Sequence, residues 1–153
     1  MKNITIKELC TIDQMLDSYP LLCILYPTDF SKEKYRSLLK EMLKGEYIQV
    51  AAFINDKMVG VTGISISTKI WSGKYMDMDH FVVSRDQRSN GVGKQMMKYI
   101  KDLSQKKECK ILSCDVYTEN FEAQRFYMNE RFIPRGFHFI HVNDKDIDLT
   151  AHD

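Results

Sequence analysis

Charge of one sign is almost missing from this chain: its 22 lysines and arginines face 21 aspartates and glutamates, leaving a net of +1. The two signs are interspersed, so there is no basic stripe to follow a phosphate backbone, and no nucleic-acid partner is expected. Long hydrophobic runs are missing as well. No apolar stretch approaches the roughly 20 residues needed to span a bilayer, and Met1-Lys2-Asn3-Ile4-Thr5-Ile6-Lys7 lacks the apolar core of a signal peptide. The expectation is a soluble, cytoplasmic protein with no membrane partner. Cys10, Cys23, Cys109 and Cys114 form no Cys-x-x-Cys pair, which argues against a disulfide frame and against a zinc site. Prolines number only three, and no linker, repeat or low-complexity tract interrupts the sequence. Residues 1–153, at 44% hydrophobic content, therefore read as a single domain with a real core.

What is present has a mixed rhythm. Met1 to Leu9 suits a short strand, and Thr11-Ile12-Asp13-Gln14 has the spacing of a capping box, opening a helix with Met15, Leu16, Tyr19, Leu22 and Cys23 inward and Pro27 ending the helical region. Ser31 can cap a second helix, with Tyr35, Leu38, Leu39, Met42 and Leu43 at helical spacing and Gly45 as its stop. Tyr47 to Ile54 and Met58 to Ile66 flank the turn signal Asn55-Asp56 as a hairpin would, and Tyr75 to Val83 forms a third run. A helix to about Cys109 places Val92, Met96, Ile100 and Leu103 along one side. Ile111 to Tyr117 is the next strand and Asn120 to Glu130 the last helix, with a closing strand pair, Phe132 to Pro134 and Phe137 to Val142, around Arg135-Gly136. The predicted order is β-α-α-β-β-β-α-β-α-β-β.

The segment Arg88-Ser89-Asn90-Gly91-Val92-Gly93-Lys94, between the apolar Phe81-Val82-Val83 and the amphipathic helix, has the character of an anion cradle. Two glycines let the backbone approach a ligand, and the first N–H groups of a helix point outward with the helix dipole behind them. A P-loop requires glycine five residues before the Gly-Lys pair and Ser or Thr after it, where Arg88 and Gln95 stand. A dinucleotide fingerprint requires a third glycine at Met96 and an early strand opening a βαβ unit. What remains, Arg-x-x-Gly-x-Gly at a strand-to-helix junction, resembles the acetyl-CoA loop of the GCN5-related N-acetyltransferases, the GNAT family. The family's downstream pattern Asn-x-x-Ala-x-x-[Leu/Phe]-Tyr-x-x-x-Gly-Phe is matched by Asn120, Ala123, Phe126, Tyr127 and Phe132, with Arg131 in place of the usual glycine. That departure implies a different exit from the helix. The two motifs cover roughly the second half of the chain.

The resemblance implies an α/β fold with a central mixed, mostly antiparallel sheet flanked by helices. It implies acetyl-CoA as acyl donor, with the pantetheine arm along the backbone of Phe81, Val82 and Val83, where one N–H would face the thioester oxygen. The pyrophosphate would rest on the main chain from Arg88 to Lys94. Asn120 and Phe126 would contribute to the same cofactor, Asn120 being equally well explained as a helix cap. At the family position of the general acid stands Tyr127, which would hand a proton to the departing thiolate. Homodimers are common among such relatives.

On the acceptor side, an amine with a pKa near 10 must lose a proton before it attacks, by analogy with lysine. The strand Met76-Asp77-Met78-Asp79-His80-Phe81 alternates, placing Asp77, Asp79 and Phe81 on one face and His80 on the other unless a bulge intervenes. Asp79 is the expected base, His80 the alternative, and both are candidate acceptor contacts; Asp77 reads as a solvated strand position. The stretch also looks similar to that of diamine acetyltransferases, with His80 replacing the second acid of their pair. His138 and His141 fall on opposite strand faces and carry no metal site. Cys114 has no partner pattern for a thiol nucleophile. The expectation is direct acetyl transfer from acetyl-CoA to a small-molecule or peptide amine in a ternary complex; the alternative is an acyl-CoA-binding regulatory module without turnover. The acceptor carries no recognisable code.

Overall fold

The computed structural model describes residues 3–26, 30–147 and 149, and divides into two compact units, Met1–Cys114 and Asp115–Asp153. In the first unit, β1 (Ile4–Leu9), β2 (Glu46–Ile54), β3 (Lys57–Lys69), β4 (Gly73–Val83) and β5 (Ile111–Cys114) form one sheet in sequence order. Every pairing is antiparallel except β4 with β5, which is parallel. This is the mixed, mostly antiparallel α/β sheet that the family resemblance implies. The β2–β3 turn is made by Asn55 and Asp56, both at positive φ (49° and 60°), the backbone of a two-residue hairpin that these side chains tolerate.

Three helices, α1 (Ile12–Leu16), α2 (Tyr19–Leu25) and α3 (Lys32–Met42), lie before the hairpin. The capping box forms: Thr11 Oγ1 accepts from Gln14 N–H and Gln14 Oε1 from Thr11 N–H. The single helix expected through Cys23 is broken at Asp17-Ser18. Pro20 has no N–H for the carbonyl of Leu16, which its ring would also crowd, so it sits instead in the first turn of a new helix. Tyr19 and Cys23 are consequently only half-buried, and Pro27 lies outside the described residues. Ser31 caps α3 by accepting from Lys34 N–H.

The sheet is covered on both faces. Tyr47, Ala51, Val61 and Val82 pack with Leu9, Met15, Leu22, Tyr35 and Leu39 on the side of α1 to α3. The long helix α4 (Val92–Lys106) buries Val92, Met96, Met97, Ile100 and Leu103. Gly60 lets it close on β3, since a Cβ there would stand 2.6 Å from Met96 Sδ. No helix among the described residues is long and apolar enough to cross a membrane.

In the second unit, α5 (Phe121–Asn129) starts on Asn120, whose Oδ1 accepts from Ala123 N–H at 3.0 Å. It ends in a left-handed turn at Arg131, φ 66°. Arg131 N–H donates to Met128 O and Phe132 N–H to Tyr127 O, the paired bonds of a Schellman stop, and the Tyr127 and Phe132 rings close it at 5.4 Å. Arg131 therefore makes the exit that glycine usually makes, at a backbone cost of about 1–2 kcal/mol, and the expected change of exit is corrected. The closing strand pair expected at Phe132–Pro134 and Phe137–Val142 is not formed among the described residues; Ile133, Phe137 and Phe139 are more than four-fifths exposed. β-rich composition reports fitness for a sheet surface, and without a ladder it makes no strand. The strand expected to reach Tyr117 stops at Cys114.

Candidate active site

The register of β3 against β4 slips at one place. Gly63 pairs with Asp79 and Val61 with Val82, so Thr62 faces both His80 and Phe81 across a β-bulge. His80 takes φ 39°, and the Asp79 carbonyl accepts from Thr62 Oγ1 at 2.8 Å. Strict alternation places Asp79 and His80 on opposite faces. The bulge brings them together: His80 N–H donates to Asp79 Oδ1 at 2.8 Å, and His80 Nδ1 stands 3.6 Å from Oδ2. The histidine side chain is buried at 6% exposure, while that of Asp79 is 66% exposed and so available to a ligand. Hydrogen bonding from His80 holds the Asp79 carboxyl below the ordinary carboxylate value against the opposing effect of burial. Asp77 is occupied otherwise, its Oδ1 accepting from Ser113 Oγ.

Behind His80 lies a polar chain inside the core. His80 Nε2 is 3.4 Å from Tyr47 OH; Gln49 Nε2 donates to Tyr47 OH at 3.2 Å and to Tyr35 OH at 2.6 Å; Ser18 Oγ is 2.9 Å from Tyr35 OH and donates to Met15 O. Ser18 and Gln49 are fully buried, and Tyr35 and Tyr47 nearly so. Desolvation raises the pKa of both tyrosines, most strongly at Tyr47, keeping them protonated. Gly63 makes the room, because a Cβ there would stand 2.5 Å from His80 Cε1 and from Tyr47 OH. Sequence reasoning missed this group. Its one local trace is Gln49, a polar residue inside the apolar stretch from Tyr47 to Ile54.

Just ahead of the bulge, β5 leaves β4. Their ladder runs from Tyr75↔Ile111 to Met78↔Cys114, while β4 continues to Val83 alongside β3. Val82 is buried in the core, and Phe81 and Val83 are half-buried. After a short 3-10 turn at Arg85–Gln87, Arg88 Nε folds back onto the Val83 carbonyl at 3.4 Å. Ser89 at φ 63° and Gly91 at φ 81° then reverse the chain. The first backbone bond of α4 runs from Gln95 N–H to Gly91 O, so the amides of Val92, Gly93 and Lys94 have no partner within the helix. Nothing lies within 4 Å of where a Gly91 Cβ would be, and Arg88, Ser89, Asn90 and Lys94 are exposed around it. Buried Val92 anchors the turn. The arrangement suits a diphosphate: N–H donors without helix partners, a helix dipole and two exposed cations lie within one short segment. In the second unit, Asn120 caps α5, and Phe126 and Tyr127 lie along it with rings 5.3 Å apart, Tyr127 being 9% exposed.

Residues 15–131 match the model of the acetyltransferase (GNAT) family. The chain belongs to the GNAT acetyltransferases. Among curated proteins it is similar to a Bacillus subtilis (strain 168) protein named uncharacterized N-acetyltransferase YhdJ, 25% identical over 83% of this chain and 89% of that one. Its fold is that of the aminoglycoside N-acetyltransferase AAC(6')-Iy solved with CoA, at TM-score 0.79 and 17% identity over 95% of this chain and 97% of that one. Glucosamine-6-phosphate N-acetyltransferase from Arabidopsis thaliana shares it at TM-score 0.75 and 18% identity, over 94% and 100% of the two chains. The GNAT chain is thus an enzyme of the N-acetyltransferase class. In this acetyltransferase the bulge lies on the strand that leads into the glycine turn.

Proposed function

We propose that this N-acetyltransferase moves the acetyl group of acetyl-CoA to a primary amine by direct attack in a ternary complex, residues 1–153 working as one domain. The observation that carries this reading is the head of α4, where the amides of Val92, Gly93 and Lys94 have no partner within the helix, just after the left-handed Gly91. Acetyl-CoA would supply the activated acyl carbon. Those amides, with Ser89, Asn90 and the charges of Arg88 and Lys94, would hold its diphosphate. The end of β4, Phe81 to Val83, would bind the pantetheine arm through its backbone, one N–H stabilising the developing oxyanion. Asn120 and Phe126 are assigned to the same cofactor and Tyr127 to protonation of the leaving thiolate, on their match to the family motif.

Asp79 would receive the amine. Its depressed pKa leaves it ionised at neutral pH, which suits attraction of an ammonium ion, and its exposed carboxylate can then pass the released proton to water. The acceptor class is therefore a cationic small molecule or peptide amine; aminoglycosides, on which some enzymes of the same fold act, belong among those tried. The test is thiol release from acetyl-CoA across a panel of polyamines, aminoglycosides, amino acids and peptide amines. Amine-dependent CoA release is expected. Tight acetyl-CoA binding without release for any amine would identify a regulatory module instead, and no calorimetric binding would remove both readings.

A further inference from the structure

His80 is the residue for which the proposed amine transfer leaves two roles open, base or support, and its surroundings separate them. Each hydroxyl of the buried chain behind it has one proton to give, and the Gln49 amide has two. Ser18 Oγ donates to Met15 O at 2.7 Å or to Gln49 Oε1 at 3.3 Å, and Tyr35 to Ser18 Oγ at 2.9 Å or to Met15 O at 3.3 Å, so both hydroxyl protons are spent away from Tyr47 and the Gln49 oxygen is turned toward Ser18. Gln49 uses one N–H on Tyr35 and the other on Tyr47. Tyr47 thus accepts from Gln49 and keeps its own proton to donate, and what its hydroxyl meets besides Gln49 is His80 Nε2 at 3.4 Å. A nitrogen that accepts a hydrogen bond carries no hydrogen, so in the neutral ring the proton belongs on Nδ1, which faces Asp79 Oδ2 at 3.6 Å. The titratable groups around this ring are Asp79 on β4 and Tyr47 on β2, with Tyr35 and Tyr26 beyond Tyr47; Tyr35 and Tyr47 are kept protonated by burial.

We infer that Tyr47 is a positioning residue that fixes His80 as the Nδ1–H tautomer, and that His80 in turn orients the Asp79 carboxylate and does not itself take the proton of the amine. With Nε2 engaged by Tyr47 and Nδ1 already protonated, the ring has no lone pair to offer a substrate. Its backbone N–H and its Nδ1–H both point at Asp79, one on each oxygen, which leaves the exposed side of that carboxylate to the ammonium ion. The bulge at His80, the Gly63 clearance and the Tyr47–Gln49–Tyr35–Ser18 chain then serve one purpose, a fixed anion on an exposed strand position. This rests on the amine-transfer reading for its role, while the tautomer itself can be observed without any turnover.

The experiment is nitrogen-15 NMR of the histidine rings in the full chain, with His80 assigned by loss of its signals in His80→Gln. At neutral pH, Nδ1 should resonate as a protonated nitrogen and Nε2 as an unprotonated nitrogen that accepts a hydrogen bond. Tyr47→Phe should move Nε2 to the value of a bare lone pair. Kinetically, Tyr47→Phe and His80→Gln should each raise the KM for the amine about tenfold, keep kcat at saturating amine within a few-fold and leave acetyl-CoA affinity unchanged, the pattern of lost binding. A proton on Nε2 in the unsubstituted protein would overturn the inference, as it would mean that Gln49 presents its oxygen to Tyr47. So would a fall in kcat of a hundredfold or more in His80→Gln with the amine KM unchanged, the signature of a lost general base. If the tautomer is found and no amine is acetylated, the arrangement stands and the amine-transfer reading fails.

Discussion

The head of α4 and the bulge of β4 solve opposite problems a few residues apart in the chain. At the helix head the useful groups are main-chain amides, the side chains from Arg88 to Asn90 are exposed, and glycine contributes by having no side chain. At the bulge the useful groups are side chains drawn from β4, β2, α3 and the α1–α2 junction, nearly all buried, and one of them, Asp79, reaches solvent. Main-chain chemistry can be written in a short local motif, because the backbone conformation that presents it is itself local. A buried side-chain network has no such motif. Its members come together only when the sheet and three helices have closed on one another.

Four substitutions or conditions sharpen this contrast. The largest effect is expected for Asp79→Asn, which removes the charge at the exposed end of the network: kcat/KM for the amine should fall about a hundredfold or more in steady-state assays, with acetyl-CoA affinity by calorimetry unchanged. A parallel loss of acetyl-CoA affinity would break the separation between the two regions. Gly63→Ala comes next, its methyl group meeting His80 and Tyr47 at 2.5 Å. It should destabilise the fold by about 1–3 kcal/mol in denaturant titrations, with little effect expected had the space been empty.

Gly91→Val tests the other region. A β-branched residue at φ 81° costs about 1–2 kcal/mol of backbone energy in the cradle's required shape, so the turn should relax away from it, acetyl-CoA should bind roughly tenfold more weakly and the melting temperature should fall by a few degrees. Undiminished affinity would show that the turn does not carry the cofactor. The smallest effect is alkaline. Tyr35 and Tyr47 have folded pKa values raised above the ordinary 10.0, so their contribution is fully present below pH 10 and is lost as pH rises from there toward the folded values, because the unfolded chain releases those protons first. The stability curve above pH 10 should be shallower in Tyr47→Phe than in the unsubstituted protein.

The same division runs through the whole molecule. Where a feature depends on residues within one turn, the sequence reading and the structure agree. The Thr11–Gln14 capping box, the Ser31 and Asn120 caps and the Asn55-Asp56 hairpin all form. Where competing local rules applied, the reading failed: periodicity favoured one helix from Thr11 to Cys23, and Pro20 divides it. Arg131 shows the reverse, a residue that its local preference argues against, held left-handed by two backbone bonds and the Tyr127–Phe132 ring contact. For Phe132 to Val142, composition favoured strands, yet pairing is a property of a ladder, and none of these described residues joins one.

By itself, the sequence determined the α/β class, the order of elements from β2 to α5, the glycine turn at a strand-to-helix junction and the family to which the chain belongs. All of these are encoded in local spacing, caps and hydrophobic period. Only the tertiary structure decided that Asp79 and His80 share a face, that Tyr47 and Gly63 meet them and that Gln49 joins the group from within the core. Strict alternation along β4 separates the aspartate from the histidine. It is the single extra residue in the β3–β4 register, stabilised by Thr62 and by burial of the imidazole, that turns them together. A register slip is a relation between two strands, which no single segment of sequence contains.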